Sequence, residues 1–405
     1  MTHHRTVLDT ALRTRIPAIV DHALDPGLTE EVAARVAWSC IVEPGDGIAG
    51  RLVQALGAAE ALAAIEAGRP ARQAAEAAGV TRQEWDRGLQ RWRPRLQPDV
   101  VRGAVEAAAV AGARLLAPYD ARWPTPLRDL GAHAPLCLWV RGDLAAPMRF
   151  RPAVAIVGAR AATSYGEHVA IELSSGLAMR GVAVISGAAY GIDGAAHRAA
   201  LAAEGATLAF LAGGVDRPYP AGNAQLIDRI AVSGAVLSEA PCGGAPTKWR
   251  FLQRNRLIAA LADATVVVEA GWRSGSLNTA HHASELGRPL GSVPGPVTSA
   301  ASAGCHRVLR EHDARCITGV DDVLELLGIA TSAARPDDHD ARHTDDRARV
   351  LDALSARASR GALDVARRCG MSVADVEAVL GLLSLTGEVA AVDGGWRLAA
   401  ATAGR

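Results

Sequence analysis

The 405-residue sequence predicts an α/β protein: a doubly wound, mostly parallel sheet, preceded by a small helical domain and followed by a winged helix. Two observations lead there. The first is the stretch VAIVGARAATSYGEHVAIELSSGLAMRGVAVISGAAYGID, from Val154 to Asp193. An apolar run at Val154 to Val157 breaks at Gly158-Ala159-Arg160. A helical pattern then opens at Ser164, with Glu167 at capping-box spacing, and Gly181 ends it. A second apolar run, Val182 to Ile185, breaks at Ser186-Gly187, completing a βαβ unit whose loops sit at the carboxyl ends of parallel strands. The second observation is that strands and helices keep alternating as far as Leu327.

Residues 1–115 carry no strand signal. Amphipathic EEVAARVAWSCIV is broken by Pro44-Gly45-Asp46-Gly47, a second helix runs from Ile48 to Gly57, and short Ala-rich helices follow. The Gly-rich break has the look of a phosphate-gripping hairpin, but a tight helix connection is the favoured reading. Arg82, Arg87, Arg91, Arg93 and Arg95 surround Trp85 and Trp92. A solvated face over two buried tryptophans is favoured there over a nucleic-acid patch. Leu115 to Leu144 is a bridge in which Leu136 to Val140 adds an edge strand.

Within residues 116–330, strands are expected at Thr207–Leu211, Ala235–Ser238, Thr265–Glu269, Leu290–Val293 and Arg315–Ile317. Helices are expected at Asn223–Val232, Phe251–Leu261, Asn278–Leu286, His306–His312 and Val320–Leu327. Residues 331–346 are polar, charged and aperiodic, and read as a linker. Residues 347–405 give two short helices, a third capped by Ser372, and a hairpin around Asp393-Gly394-Gly395. That is a winged helix, but its third helix carries Asp375 and Glu377 and no cation, so it cannot balance phosphates. A protein surface, or its own chain, is the expected partner.

Composition narrows the function. Lys+Arg and Asp+Glu both number 43, so any polyanion must be held by a local cluster. Lys248 is the single lysine. Six scattered cysteines without CxxC spacing argue for a reducing, cytoplasmic setting and against a zinc site. No apolar run suits a membrane span or an amino-terminal signal.

Four loop segments converge at one sheet edge: Gly158 to Arg160 with Ser164 to Gly166; Ser186-Gly187 with Gly191 to Asp193; RFLQRNR from Arg250 to Arg256; and Arg273 to Ser276. Each glycine alone reads as a strand-to-helix turn. Together, with Arg160, Arg254, Arg256 and Arg273 at the tips, they point to an anion site. Neither a GxGxxG fingerprint nor a Walker A motif is present. Asp193 and Glu269 read as structural, Asp193 as a helix cap, and His197, His281 and His282 as solvent-facing or packed. No nucleophile–base pair stands out. The site is built to bind, with no cofactor and no metal.

The string IVGAR…TSYG…SG…GIDGAAH…YP…N…LSE…RNRLIA…VVVEA…SGSLNTA…VPG resembles the DNA-processing protein A family (DprA, also called Smf) over Pro118 to Leu327. The resemblance implies a SAM-like amino-terminal domain, an extended Rossmann-like domain and a carboxyl-terminal winged helix. It implies a non-enzymatic, dimeric protein that binds single-stranded DNA without sequence preference, protects incoming strands and helps load the RecA recombinase in natural transformation. Carried over, Gly158, Arg160 and Ser164 fall in the first phosphate-contact block; Ser186, Gly187 and Gly191 in the second; Asn255 and Arg256 in RNR; Ser274, Gly275 and Ser276 in SGS. Three departures stand out. Tyr190 replaces a usual basic residue, offering a stacking ring instead of a cation; Leu252-Gln253 replaces a proline-containing approach; Asn278 replaces an aliphatic. Arg250 or Lys248 is expected to supply the missing charge. The alternative is a nucleotide-binding enzyme, such as a nucleoside-monophosphate phosphoribohydrolase; VPGPVTSAAS lacks that class's paired glycines and glutamate.

Overall fold

The computed structural model describes residues 7–22, 24–67, 75–76, 78–330, 339–392 and 394–399. They fall into two compact units, residues 1–330 and 331–405.

After two short helical turns at Thr10–Arg13 and Ile16–Ile19, the first unit carries helices α1 (Pro26–Ile41), α2 (Gly47–Leu56), α3 (Ala58–Ala67), α4 (Arg82–Trp92) and α5 (Pro98–Val110). The Pro44–Gly47 break is a capped connection. One Asp46 oxygen accepts the Ile48 and Ala49 N–H groups, and the other accepts Trp92 Nε1 at 3.0 Å. Trp85 and Trp92 are buried while Arg82, Arg87 and Arg91 face solvent, as the favoured reading has it. Trp38 and Trp92 meet edge to face at 5.5 Å. The apolar cluster beneath α1 includes Trp38, Trp139 and Val236, so the helical region and the sheet share a core across residue 115.

The sheet has nine strands in the order β1-β2-β6-β5-β4-β3-β7-β8-β9. They are β1 (Arg114–Leu116), β2 (Leu138–Gly142), β3 (Ala153–Val157), β4 (Ala183–Ser186), β5 (Thr207–Phe210), β6 (Ala235–Ser238), β7 (Ala264–Val267), β8 (Leu290–Ser292) and β9 (Arg315–Cys316). β2 alone runs antiparallel to the rest, since β1, antiparallel to β2, points the same way as β3 to β9. The strand expected at the edge is therefore one place inside it, because β1, too short to show a pattern, pairs outside β2. From β3 to β9 all pairing is parallel.

Alternation sends side chains to two faces. Val154, Ile156, Val184 and Val266 pack against helices α6 (Ser164–Ala178) and α7 (Ile192–Ala202). Past β5, α8 (Ala224–Ser233) joins the cluster under α1. Ala155, Val157, Ile185 and Phe210 pack beneath α9 (Lys248–Leu261) and α10 (Ser276–Glu285). Helices α11 (Ala303–Glu311) and α12 (Val320–Leu326) complete the wrap. The chain leaves β3 for β4 on one side and β7 for β8 on the other. The crevice beyond the carboxyl ends of β3 and β7 is thus the switch point where such folds bind ligands. No single helix among the described residues is long and apolar enough to cross a membrane.

In the second unit, helices α13 (His339–Ala353), α14 (Ala362–Cys369) and α15 (Val373–Leu385) accompany the hairpin β10 (Val389–Val392) and β11 (Gly395–Leu398). Ser372 caps α15, accepting Asp375 N–H at 3.1 Å. Helix α13 begins within the stretch read as a linker, of which residues 331–338 lie outside the described residues, as does Asp393 of the hairpin turn.

His197 is fully buried on α7, its Nδ1 2.7 Å from the Thr207 hydroxyl, which itself donates to Val184 O. Thr207 Oγ1 must therefore accept, placing the proton on Nδ1. Burial, reinforced by Arg254 and Arg198, holds the imidazole neutral with its pKa lowered to about 3. The unfolded chain protonates first, so stability should fall as pH drops from the free-histidine range toward 3, by up to ~1.4 kcal/mol per unit. Urea unfolding of wild type and His197→Asn between pH 7.5 and 4.5 checks this; the variant should lose part of the slope.

Candidate nucleic-acid interface

A cleft of about 830 Å³ opens at the switch point. Its walls are the β3 loop (Gly158, Ala159, Arg160), the β7 loop (Trp272 to Ser276), and one side of α9 (Lys248, Phe251, Arg254, Asn255).

The glycines explain how these loops come so close. A Cβ on Gly158 would strike Ile192; one on Gly191, where φ is +71°, would strike the carbonyls of Ala159 and Arg160; one on Gly187 would overlap the Arg254 guanidinium. Close loop-to-loop packing is thus their role. Gly158 lines the cleft, whereas Gly187 and Gly191 support it from behind.

Arg254 forms the floor. It is 6% exposed, and its Nη1 donates to Gly187 O at 2.7 Å and Phe210 O at 2.5 Å, its Nε to Asn255 Oδ1 at 3.1 Å. Burial lowers its pKa to about 10, against the pull of Asp193, so it stays charged at neutral pH. Asp193 lies in the first turn of α7 and accepts Gly187 N–H; burial raises its carboxyl while Arg254 lowers it. The cap it was expected to provide is at Gly191 instead.

Arg160, Lys248 and Arg273 are exposed on the walls. No carboxylate forms an ion pair with these three or with Arg254 among the described residues. At the mouth of α10 the Ser274 and Ser276 hydroxyls lie 2.7 Å apart. The first N–H groups of the helix are held locally, Ser276 N–H by Ser274 Oγ at 3.4 Å, Leu277 N–H by Ser274 O and Asn278 N–H by Gly275 O at 3.2 Å each, so the helix end contributes its dipole to the cleft and not free donors. Aromatic rings complete the walls. Phe251 lies under the Arg160 guanidinium at 4.5 Å and 5.6 Å from Tyr219.

Of the expected site residues, the cleft gathers Gly158, Arg160, Arg254, Asn255, Arg273, Ser274, Gly275 and Ser276. Others fall elsewhere. Ser186 is fully buried, its hydroxyl donating to Ile156 O at 2.6 Å. Ser164 sits exposed on the first turn of α6, outside the cleft lining, and Thr163 is the cap. Tyr190 is exposed with its hydroxyl over Gly222, also outside the lining. Arg250 and Arg256 project from the back of α9. Arg250 pairs with Glu43 at 2.9 Å, which also takes Arg95 at 2.5 Å. Arg256 is 3% exposed and pairs with Glu239 at 2.5 Å, whose other oxygen accepts Gly45 N–H at 3.2 Å. A wheel of about 100° per residue separates these sides: 248, 251, 252, 255 and 258 share one, and 249, 250, 253 and 256 the other. It would have kept Lys248 and added Phe251.

Residues 114–328 match the family described as DNA recombination-mediator protein A, and residues 330–395 match the DprA winged helix domain. The chain belongs to the DNA recombination-mediator protein A family. A Mycobacterium tuberculosis relative named as a DNA processing protein DprA is 42% identical over 386 residues, 91% of this chain and 95% of that one. The solved structure of DNA processing protein A from Streptococcus pneumoniae is 29% identical with a TM-score of 0.56, covering 73% of this chain and 97% of that one. A structure of DNA processing protein A from Helicobacter pylori, described for its single-stranded DNA binding mode, is 30% identical with a TM-score of 0.48, covering 53% and 95%. The recombination-mediator family match spans both the cleft and the sheet that carries it.

The two sides of α9 should respond differently to substitution. Arg256→Ala leaves the Glu239 carboxylate buried and unpaired, and should cost about 3–5 kcal/mol of stability. Arg273→Ala, on an exposed and unpaired cation, should leave the urea midpoint within about 0.5 kcal/mol of wild type. Paired urea titrations of the two variants decide.

Proposed function

We propose that this DNA-processing family member binds single-stranded DNA along the cleft at β3 and β7, without sequence preference, by holding phosphates. The observation that carries the reading is four cations, Arg160, Lys248, Arg254 and Arg273, around one cleft with no carboxylate in an ion pair with them among the described residues, on a protein of zero net charge. Phosphates would lie against the exposed three and near the positive end of the α10 dipole, and the floor charge of Arg254 adds to the field. These contacts carry no base information, which accounts for the absence of sequence preference.

The protein acts by binding and not by turnover. Glu269, the acid nearest the β7 loop, has its oxygens taken by the Thr163 N–H and hydroxyl, each at 2.8 Å, which supports a structural role. The family's description as a recombination mediator supports delivery of the bound strand to RecA during transformation or recombination. Homodimerisation follows from the same resemblance. Six cysteines, all free, support work in the cytoplasm.

A salt-titrated anisotropy assay with fluorescent oligo(dT) and the matching duplex tests this. The expected result is tight binding of the single strand whose logarithm falls with log salt by ~0.7 per phosphate neutralised. Arg160→Ala should weaken every sequence several-fold and shallow that slope by ~0.7. An unchanged slope and affinity would remove Arg160 and this cleft from the binding surface.

A further inference from the structure

Trp272 is the aromatic side chain whose ring is freest to meet a ligand in the cleft. Trp38, Trp85, Trp92, Trp123 and Trp139 are buried, whereas Trp272 lines the cleft beside Arg273 and keeps 56% of its surface exposed. Its loop is fixed from behind. Gly304 N–H donates to Ala270 O at 2.7 Å, Ser274 N–H donates to Gly271 O at 3.0 Å, and a Cβ on Gly304 would press on the Gly271 carbonyl. Helix α11, seated there, sends Arg307 over the indole at 5.3 Å from its centroid, and Glu311 holds that guanidinium at 2.7 Å. The ring is thus backed by a cation that is itself tethered. Phe251 is placed differently: Arg160 at 4.5 Å, Tyr219 at 5.6 Å and Arg254 at 5.9 Å already crowd it.

We infer that Trp272 is a stacking seat for one unpaired nucleobase, next to a phosphate held by Arg273; this rests on the single-strand reading above. An indole backed by a guanidinium and open to a cationic cleft suits a flat, π-faced group attached to an anion. A duplex keeps its base faces inside the stack and offers none to the ring, so the seat favours unpaired strands. Every base has a π-face, so it does so without choosing a sequence. The ring is held before the strand arrives, and little side-chain freedom is lost on binding.

The test compares oligo(dT) with an abasic strand of equal length, which keeps the phosphates and lacks the bases, using full-length wild type, Trp272→Ala and Trp272→Phe. Trp272→Ala should weaken oligo(dT) about ten-fold, leave its salt slope unchanged, and leave the abasic strand's affinity unchanged. Trp272→Phe should retain most of the affinity but lose the tryptophan quenching that oligo(dT) causes in wild type. Equal oligo(dT) binding by wild type and Trp272→Ala would overturn the seat and leave the phosphate cleft standing. So would an equal loss for both strands. Wild type that binds neither strand at low salt would overturn the DNA reading itself, and the seat with it.

Discussion

One buried guanidinium ties the carboxyl edge of the sheet together. Arg254 reaches from α9 to the carbonyls that follow β4 and end β5, and its own neighbour Asn255 accepts its third bond. Three neutral oxygens take three of its five N–H donors without neutralising its charge. A buried cation normally demands a carboxylate, and the Asp193 carboxyl nearby only partly offsets the cost of burial. The result is a rigid floor that stays positive. The loops above it need no cation of their own to be attractive to an anion, and their glycines are free to serve close packing.

Helix α9 links this floor to the amino-terminal helices. One side carries Lys248, Phe251, Arg254 and Asn255 into the cleft; the other carries Arg250 to Glu43 and Arg256 toward Glu239 and Gly45. Two acids on the far side therefore hold in register the helix that presents the cations. The Nε and Nη1 atoms of Arg256 have no partner, so its placement rests on Glu239 alone. This gives the helical region a physical connection to the site although it contributes nothing to the cleft lining.

Much of this was legible in the sequence because buried parallel strands are written as short apolar runs, and β3 and β4 are each closed at once by a glycine, Gly158 and Gly187. The site was partly legible for the same reason: the loops at strand ends must converge. What the sequence left ambiguous was depth. Ser186 and Gly187 stand at a strand end like true contact residues, but the first closes a bond to Ile156 and the second makes room for Arg254. Motif spelling groups Arg250, Arg254 and Arg256, whereas their partners separate them: Arg250 goes to Glu43, Arg256 to Glu239, and Arg254 to the Gly187 carbonyl under the cleft. The edge strand β1 was missed because three residues carry no period, and Trp272 because an exposed ring has no pattern until its neighbours are in place.

The contact between Gly187 and Arg254 also limits how this protein can change. Any side chain at 187 must occupy the volume of the guanidinium, so the position is closed while an arginine stands at 254. Shortening residue 254 first would open the space, but it would also free two strand-end carbonyls and discharge the floor. Each substitution is harmful before the other, and no single step leads between the paired states. Two positions 67 residues apart in the chain must therefore drift together or not at all.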